Sequence, residues 1–146
     1  MSDTNTAMVR FAQDASDEDI LTVVRRWNDT LASEDYEGAL AMIRAPGWTA
    51  ELLQRTIAGY GHPEPAERVH KVTPLASASY HPGTEPLNNP WPRHEVDRDT
   101  LPDGEPFISV WFDMPLDGYW SDVTATFNLD RDGDMLVLAL ETIHVM

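Results

Sequence analysis

Asp113 is the residue of this sequence whose surroundings most suggest acid–base chemistry. It is the single carboxylate in the nearly continuous apolar run from Phe107 to Met114. A carboxylate enclosed by apolar side chains is a candidate for proton transfer, and His144 is a second candidate for the same chemistry. The simpler interpretation, which we favour, places Asp113 at the end of its strand, hydrogen-bonded to the turn before Pro115. The residues therefore indicate no complete catalytic set, and enzymatic activity stays open.

Aromatic side chains lie in acidic and irregular segments, where core periodicity does not account for them. Trp91, Trp120, Tyr80 and Tyr119 are the main examples. Aromatic rings in polar surroundings are typical of protein–protein anchors. Loop aromatics also fold back onto their own domain, and both interpretations stay open. The residues that we predict to bind a partner are Trp91, Trp111, Tyr119, Trp120 and Asp122.

Carboxylates and histidines show no convincing metal-ligand spacing. Positions 1, 3, 5 and 12 of a calcium-binding EF-hand loop would be occupied by Asp130, Asp132, Asp134 and Glu141. Met135 stands where that loop requires glycine, and no helix is predicted on either side, so we favour a plain hairpin turn. The five histidines lack ligand spacing. Absence of cysteine excludes disulfides, thiolate metal sites and cysteine nucleophiles. We expect no metal and no cofactor.

The charge is strongly acidic and unevenly distributed. The 146 residues carry 25 acidic and 10 basic side chains, a net charge of −15. Residues 1–73 hold 12 acids and seven bases, or −5, whereas residues 74–146 hold 13 acids and three bases, or −10. Such a balance excludes a nucleic-acid backbone or an anionic membrane as a direct partner. No secretory signal or membrane-spanning stretch is evident, so we expect a cytoplasmic protein.

A helical period dominates the first sixty residues. It predicts three helices, over residues 16–31, 33–45 and 49–59, with Ser16, Ser33 and Thr49 as N-caps. The first helix is the clearest, because its apolar residues recur at spacings of four, three and four. These residues are Ile20, Val24, Trp27 and Leu31.

The second half changes to a period of two, which is typical of strands. Strands are predicted within residues 68–79, 94–97, 107–114, 123–129 and 135–145. The strand over 107–114 is expected to be central and covered on both faces, and that over 123–129 to be half-buried. Asp117-Gly118 and Asp132-Gly133 predict turns.

The predicted organisation is a single domain. Residues 1–15 are expected to form a polar tail, and residues 16–146 one α+β domain. Six of the eleven prolines fall between residues 80 and 106, which predicts a surface insert or functional lid.

Two stretches carry a resemblance to a known superfamily. They are Ile20–Asn28 and Asp35–Ile43, the latter with the pattern D-Y-x-x-A-L. In these stretches the chain resembles the nuclear transport factor 2-like superfamily, which is related to ketosteroid isomerases and polyketide cyclases. The resemblance implies three N-terminal helices packed on a strongly bent antiparallel sheet, shaped as a cone. In related enzymes a carboxylate, sometimes with His or Tyr, acts inside the cone, and related folds often form homodimers through the exposed sheet face.

Two functions are compatible with these observations, because the fold does not choose between them. The first is a non-catalytic acidic binding protein, such as an immunity protein that neutralises a basic toxin. The second is an enzyme or carrier, of the isomerase, dehydratase or cyclase kind, with a small apolar ligand in the cone. A cone filled by Trp27 and Phe127 would argue against the second. The acidity could also serve only solubility at high salt.

Overall fold

Three helices precede a four-stranded antiparallel sheet, which confirms the predicted α+β class. The computed structural model describes residues 8–61, 69–80 and 92–145. The helices are α1 (Asp17–Ala32), α2 (Tyr36–Ala41) and α3 (Ala50–Ala58). The strands are β1 (His94–Thr100), β2 (Pro106–Leu116), β3 (Tyr119–Asp132) and β4 (Met135–Val145), in the order β1-β2-β3-β4. Register shifts in the β2–β3 and β3–β4 ladders mark bulges, which bend a sheet.

The start of α1 follows the predicted capping pattern. The Ser16 hydroxyl accepts a hydrogen bond from the Asp19 amide, and the Asp19 carboxylate accepts one from the Ser16 amide, both at 3.1 Å. This reciprocal pair is a capping box, which satisfies amides that have no partner within the helix. The predicted apolar face is buried as a whole, and it consists of Ile20, Val24, Trp27 and Leu31.

The predicted N-cap of the second helix was wrong. Ser33 instead ends α1, donating its amide to the carbonyl of Asp29. Glu34 then adopts a left-handed conformation with φ of 64°, and Asp35 caps α2 by accepting a hydrogen bond from the Gly38 amide at 2.9 Å. The left-handed backbone at Glu34 separates the end of α1 from the start of α2, so the cap of α2 falls on Asp35.

The predicted strand within residues 68–79 is also wrong in its described part, residues 69–79. This segment makes only two isolated bridges, Val72 with Leu116 and Ser79 with Tyr119. Pro74 interrupts pairing because it has no amide hydrogen, and a short 3-10 helix, Leu75–Ser77, follows it.

The predicted strands of the C-terminal half are present. β2 is central and mostly buried, as expected, and β1 extends beyond the predicted 94–97. The middle of β3 differs from the half-buried expectation, because residues 123–127 are all buried. The hydroxyls on its second face are satisfied by neighbouring strands: Thr124 donates to Asp113, and Thr126 bonds Thr142.

Segments from the N-terminal half cover the free edge of β4. Phe11 exchanges amide–carbonyl hydrogen bonds with Leu136, and Arg44 bonds the strand on both sides of Ala139. Covering an edge in this way prevents pairing with other chains.

Phe11 is buried in the core, so residues 8–15 are not simply the polar tail that was expected. Residues 1–7 and 81–91, the latter within the proline-rich segment, lie outside the described residues.

The core lies between α1 and the inner face of the sheet. Trp27 and Phe127 meet there edge-to-face, with 5.0 Å between ring centroids and 0% of either residue exposed. Phe112 is equally buried. The space that a hollow cone would leave at this level is therefore occupied by side chains. Within the described ranges, no helix has the length and apolar character needed to cross a membrane.

Candidate functional site

Asp113 lies inside β2 rather than at its end, because the strand continues to Leu116. One carboxylate oxygen accepts the backbone amide of Arg93 at 2.7 Å, and the other accepts the hydroxyl of Thr124 at 2.7 Å. The residue is 6% exposed. Both oxygens are used to join β2 with the start of β1 and with β3, so the contacts of Asp113 are those of a structural residue. The turn before Pro115 is not its partner, contrary to the favoured interpretation.

His144 does not combine with Asp113 into an acid–base pair. Both residues are in register with Thr124, one on each side. The backbones of Asp113 and His144 are therefore two strand spacings apart, or about 9–10 Å. The His144 ring instead bonds the Thr142 hydroxyl at 2.7 Å through Nδ1. Proton transfer between the two candidates would require contact that this register prevents.

A different histidine is enclosed by aromatic rings. His94 stacks on Phe112, with 4.1 Å between centroids and 12° between planes, and the edge of Trp120 approaches at 5.3 Å. Its Nε2 lies 3.0 Å from the carbonyl oxygen of Asp113, and a carbonyl can only accept, so Nε2 carries the proton. Burial lowers the pKa of His94 below its usual value, an effect that Asp113 partly opposes and Arg25 reinforces.

The aromatic residues at the start of β3 line a pocket at the end of the sheet. We call it the turn pocket, and its volume is about 250 Å³. The end of α3, the segment before Val72, the β2–β3 turn and the start of β3 contribute its walls. Its lining residues are Tyr60, His70, Leu116, Asp117, Tyr119, Trp120 and Ser121.

Tyr60 reaches the turn pocket through an unusual helix ending. The amides of Tyr60 and Gly61 bond the carbonyls of Ile57 and Thr56, which is the Schellman pattern at the end of α3. The left-handed position of this motif is usually glycine, but Tyr60 occupies it with φ of 58°. A left-handed conformation costs a non-glycine residue about 1–2 kcal/mol. The chain therefore holds a strained tyrosine where glycine would fit without strain.

Asp117 is a second left-handed residue at the turn pocket. Asp117 and Gly118, with φ of 56° and 90°, form the two-residue loop between β2 and β3. Two positive φ angles define a type I′ turn, for which Asp-Gly is a preferred sequence, so the predicted turn is confirmed. The Asp117 carboxylate accepts the Lys71 amide at 3.1 Å and lies 2.5 Å from Nδ1 of His70.

A further carboxylate, that of Asp122, adjoins the turn pocket through Tyr60. The Tyr60 hydroxyl donates a hydrogen bond of 2.8 Å to Asp122. The pKa of Tyr60 is raised, first by burial and then by this carboxylate, so the phenol stays protonated and keeps donating. The Tyr60 ring also packs edge-on against His70, with 5.0 Å between centroids.

The structure brings together only part of the predicted binding set. Tyr119 and Trp120 line the turn pocket, and Asp122 adjoins it through Tyr60. Trp111 pairs in register with Glu95 and Thr126, where the Arg93 guanidinium lies 4.3 Å from the centre of its ring. Trp91 lies outside the described residues.

The predicted binding set did not include five of the seven residues that line the turn pocket: Tyr60, His70, Leu116, Asp117 and Ser121. The Asp117-Gly118 turn was recognised, but only as a turn. The third helix was predicted to end at residue 59, and α3 does end at Ala58 with Gly59 as its C-cap. No local signal indicates that the tyrosine would take the strained position and meet Asp122, which is 62 residues away.

Exposed carboxylates concentrate on a second feature, the β1–β2 hairpin. Its acidic residues are Glu95, Asp97, Asp99, Asp103 and Glu105, and all are exposed. Glu95 pairs with Arg93, and Glu105 pairs with Arg131. The other three have no ion-pair partner among the residues whose positions are described.

The carboxylates at the positions of an EF-hand loop lie on the predicted hairpin between β3 and β4. β3 ends at Asp132 and β4 begins at Met135. Asp130 pairs with Arg44, and Asp132 pairs with both Arg10 and Arg44. The described ranges contain no group of three or more His, Cys, Asp or Glu side chains arranged to hold a metal ion.

Comparison with known proteins gives no relative: no protein-family model, curated protein or solved structure matches this chain. Function must therefore be argued from the geometry of the molecule itself.

Proposed function

We propose that this protein is a non-catalytic acidic protein that binds a basic protein partner in the cytoplasm. An immunity protein that neutralises a basic toxin is the specific form of this proposal. The observation that carries it is the β1–β2 hairpin, on which Asp97, Asp99 and Asp103 are exposed without a cation in the described part of the chain. The resemblance to the nuclear transport factor 2-like superfamily stays a prediction.

Exposed carboxylates without an ion pair suit electrostatic capture. Their field attracts a positively charged partner and accelerates association, and salt screens this attraction. Apolar contacts for the docked state are available close by, because Leu101 is 41% and Phe107 is 38% exposed. An acidic rim with exposed apolar residues matches the general composition of protein–protein interfaces.

The internal packing offers less support for the alternative, a small ligand inside the cone. The Trp27 and Phe127 side chains fill the centre of the space between α1 and the sheet. Asp113 has both oxygens occupied by structural hydrogen bonds. Asp113 and His144, the residues suggested for proton transfer, do not contact one another. They also do not line the same pocket in the described part of the chain.

The test is association with a basic protein encoded by a neighbouring gene. We would measure association rates from about 50 to about 500 mM NaCl, a range that spans strong and weak screening. The Asp97→Asn/Asp99→Asn variant should slow association by about tenfold at low salt and leave dissociation almost unchanged. A matched control, Glu37→Gln/Glu51→Gln, removes the same charge from exposed sites of α2 and α3.

The control should differ from wild type by less than about twofold, because its charges lie on α2 and α3, and α2 packs against α1 and α3 rather than against the hairpin. Association that does not depend on salt would contradict the proposal. Equal slowing by the hairpin and control pairs would also contradict it, since only the total charge would then matter.

A further inference from the structure

The turn pocket has the composition of a cation site. Four rings line it, from Tyr60, His70, Tyr119 and Trp120, and Asp117 contributes a carboxylate to the same wall. Aromatic faces carry negative potential, and tryptophan and tyrosine bind organic cations through it. A volume of about 250 Å³ accommodates one side-chain headgroup with the end of its alkyl chain.

Two carboxylates lie at or beside the turn pocket, those of Asp117 and Asp122. Asp122 accepts the Tyr60 hydroxyl and has no ion pair in the part of the chain that the structure describes. Donation to a carboxylate makes the phenol more electron-rich and so strengthens its attraction for a cation. Lys71, which follows His70 in sequence, pairs with Glu34, and the contact of the Asp117 carboxylate is with Nδ1 of His70.

The walls are held in place before any ligand arrives. Tyr60 is in the left-handed conformation, and such strain persists where the surrounding structure determines it and is concentrated at functional sites. Asp117 is fixed differently, by the type I′ turn that it forms with Gly118. His70 and the Lys71 amide each hold one oxygen of the Asp117 carboxylate. A carboxylate has about four acceptor positions, and Asp117, unlike the buried Asp113, is exposed and so is accessible to a cation. A preformed site loses less conformational entropy on binding.

We infer that the turn pocket binds a guanidinium group on an alkyl chain, that is, an arginine side chain or a free arginine-like molecule. A guanidinium is flat and weakly hydrated, so it stacks on aromatic faces and still pairs with a carboxylate. An ammonium group is compact and strongly hydrated, and should bind less tightly in a cleft with aromatic walls.

This inference is distinct from the proposed function. The pocket lies at the opposite end of β2 from the turn that joins β1 to β2, about 30 Å away for an eleven-residue strand. It can be tested with small molecules in the absence of any protein partner. Failure of one proposal therefore leaves the other intact.

The experiment is a titration of the full chain at about 150 mM salt, observed through indole N–H resonances and tryptophan fluorescence. The probes are acetyl-arginine-amide, free arginine, acetyl-lysine-amide and acetyl-citrulline-amide, in which a neutral urea replaces the guanidinium. Acetyl-arginine-amide should bind with Kd of about 1 mM, as expected for one small headgroup. The citrulline probe should bind at least tenfold more weakly.

Free arginine and the amide distinguish the two sources of the ligand. Tighter binding of the amide indicates a side chain of a polypeptide, and tighter binding of the free amino acid indicates a free metabolite. Either result supports the site. Equal binding of arginine and citrulline probes overturns it, as does absence of saturation up to about 20 mM.

Variants locate the site. Asp117→Asn should weaken binding by at least fivefold and keep the turn, because Asn-Gly is also preferred in type I′ turns. Tyr60→Phe keeps the ring and removes the bond to Asp122, and should weaken binding by about two- to threefold. Asp103→Asn removes one charge from a different exposed turn and is the matched control. An equal effect of Asp103→Asn and Asp117→Asn would overturn the assignment to this pocket.

Discussion

Trp27 of α1 meets Phe127 of β3 edge-to-face, with 5.0 Å between ring centroids and 83° between ring planes. The contact joins α1 to β3, although the two residues are 100 positions apart in the chain, and neither residue is exposed. Edge-to-face pairs are favourable beyond the area that they bury. This contact gives the core its centre and removes the volume that an internal ligand would use.

Trp27→Ala should lower the free energy of unfolding by about 3–5 kcal/mol, because it leaves a large cavity in the core. Trp27→Phe should cost less, since it keeps a ring and removes an indole N–H that is buried without a hydrogen-bond partner in the described structure. Chemical denaturation measures both changes. Trp111→Ala, on a half-buried residue, is the control. A loss below about 1 kcal/mol for Trp27→Ala would contradict the packed core.

His94 should make stability depend on pH. Its pKa is lowered in the folded protein, chiefly by burial, so the unfolded chain binds the proton more readily. Stability is therefore full above the unfolded value of about 6.5 and falls as pH decreases below it, until the folded pKa is passed. Denaturation between about pH 5 and pH 8 should show this slope.

The His94→Gln variant should flatten the pH slope, whatever its effect on stability at neutral pH. His144→Gln, at a half-buried position near the end of β4, removes a histidine elsewhere and should retain the slope. An unchanged slope in His94→Gln would show that another group causes the dependence.

Asp113 should act on stability through its two hydrogen bonds. Asp113→Ala leaves the Arg93 amide and the Thr124 hydroxyl without their acceptor, and should cost about 2–4 kcal/mol. Asp113→Asn should cost less than about 1 kcal/mol, because the amide can accept from Arg93 and donate to Thr124. Hydrogen exchange at the Arg93 amide should accelerate in Asp113→Ala and change little in Asp113→Asn. Equal destabilisation by both variants would argue that charge matters more than these bonds.

Ser16 should stabilise α1 through the capping box. Ser16→Ala removes the acceptor for the Asp19 amide and should lower the free energy of unfolding by about 1 kcal/mol. Ser77→Ala, at an exposed position in the short 3-10 helix, is the control and should change stability by less than about 0.5 kcal/mol. Similar losses in both variants would contradict the assigned cap.

Features that depend on neighbouring residues were predicted well. Ser16 and Thr49 cap their helices as expected, and Asp117-Gly118 forms its turn, because caps and turns satisfy backbone groups only a few residues away. Ser33 failed as a cap because Ser33 and Asp35 are both suitable N-cap residues. Ser33 is used to end α1, and α2 begins only after the left-handed backbone at Glu34.

Features that depend on distant residues could not be predicted. Tyr60 and Asp122 are 62 positions apart, and Arg93 and Asp113 are 20 apart. A local sequence pattern does not predict the strand register or the helix packing that brings such groups together. Asp113 was therefore noticed as an unusual carboxylate, but its partners were not.

By itself, the sequence determined the α+β order, the acidic C-terminal half and the positions of most helices and strands, because periodicity, caps and net charge are properties of the chain. Only the tertiary structure decided that Trp27 and Phe127 fill the core, that Asp113 and His144 stay apart, and that Tyr60 and Asp117 meet at one pocket. The physical reason is that packing and strand register set distances between residues far apart in the chain, and the chemistry of a site depends on those distances.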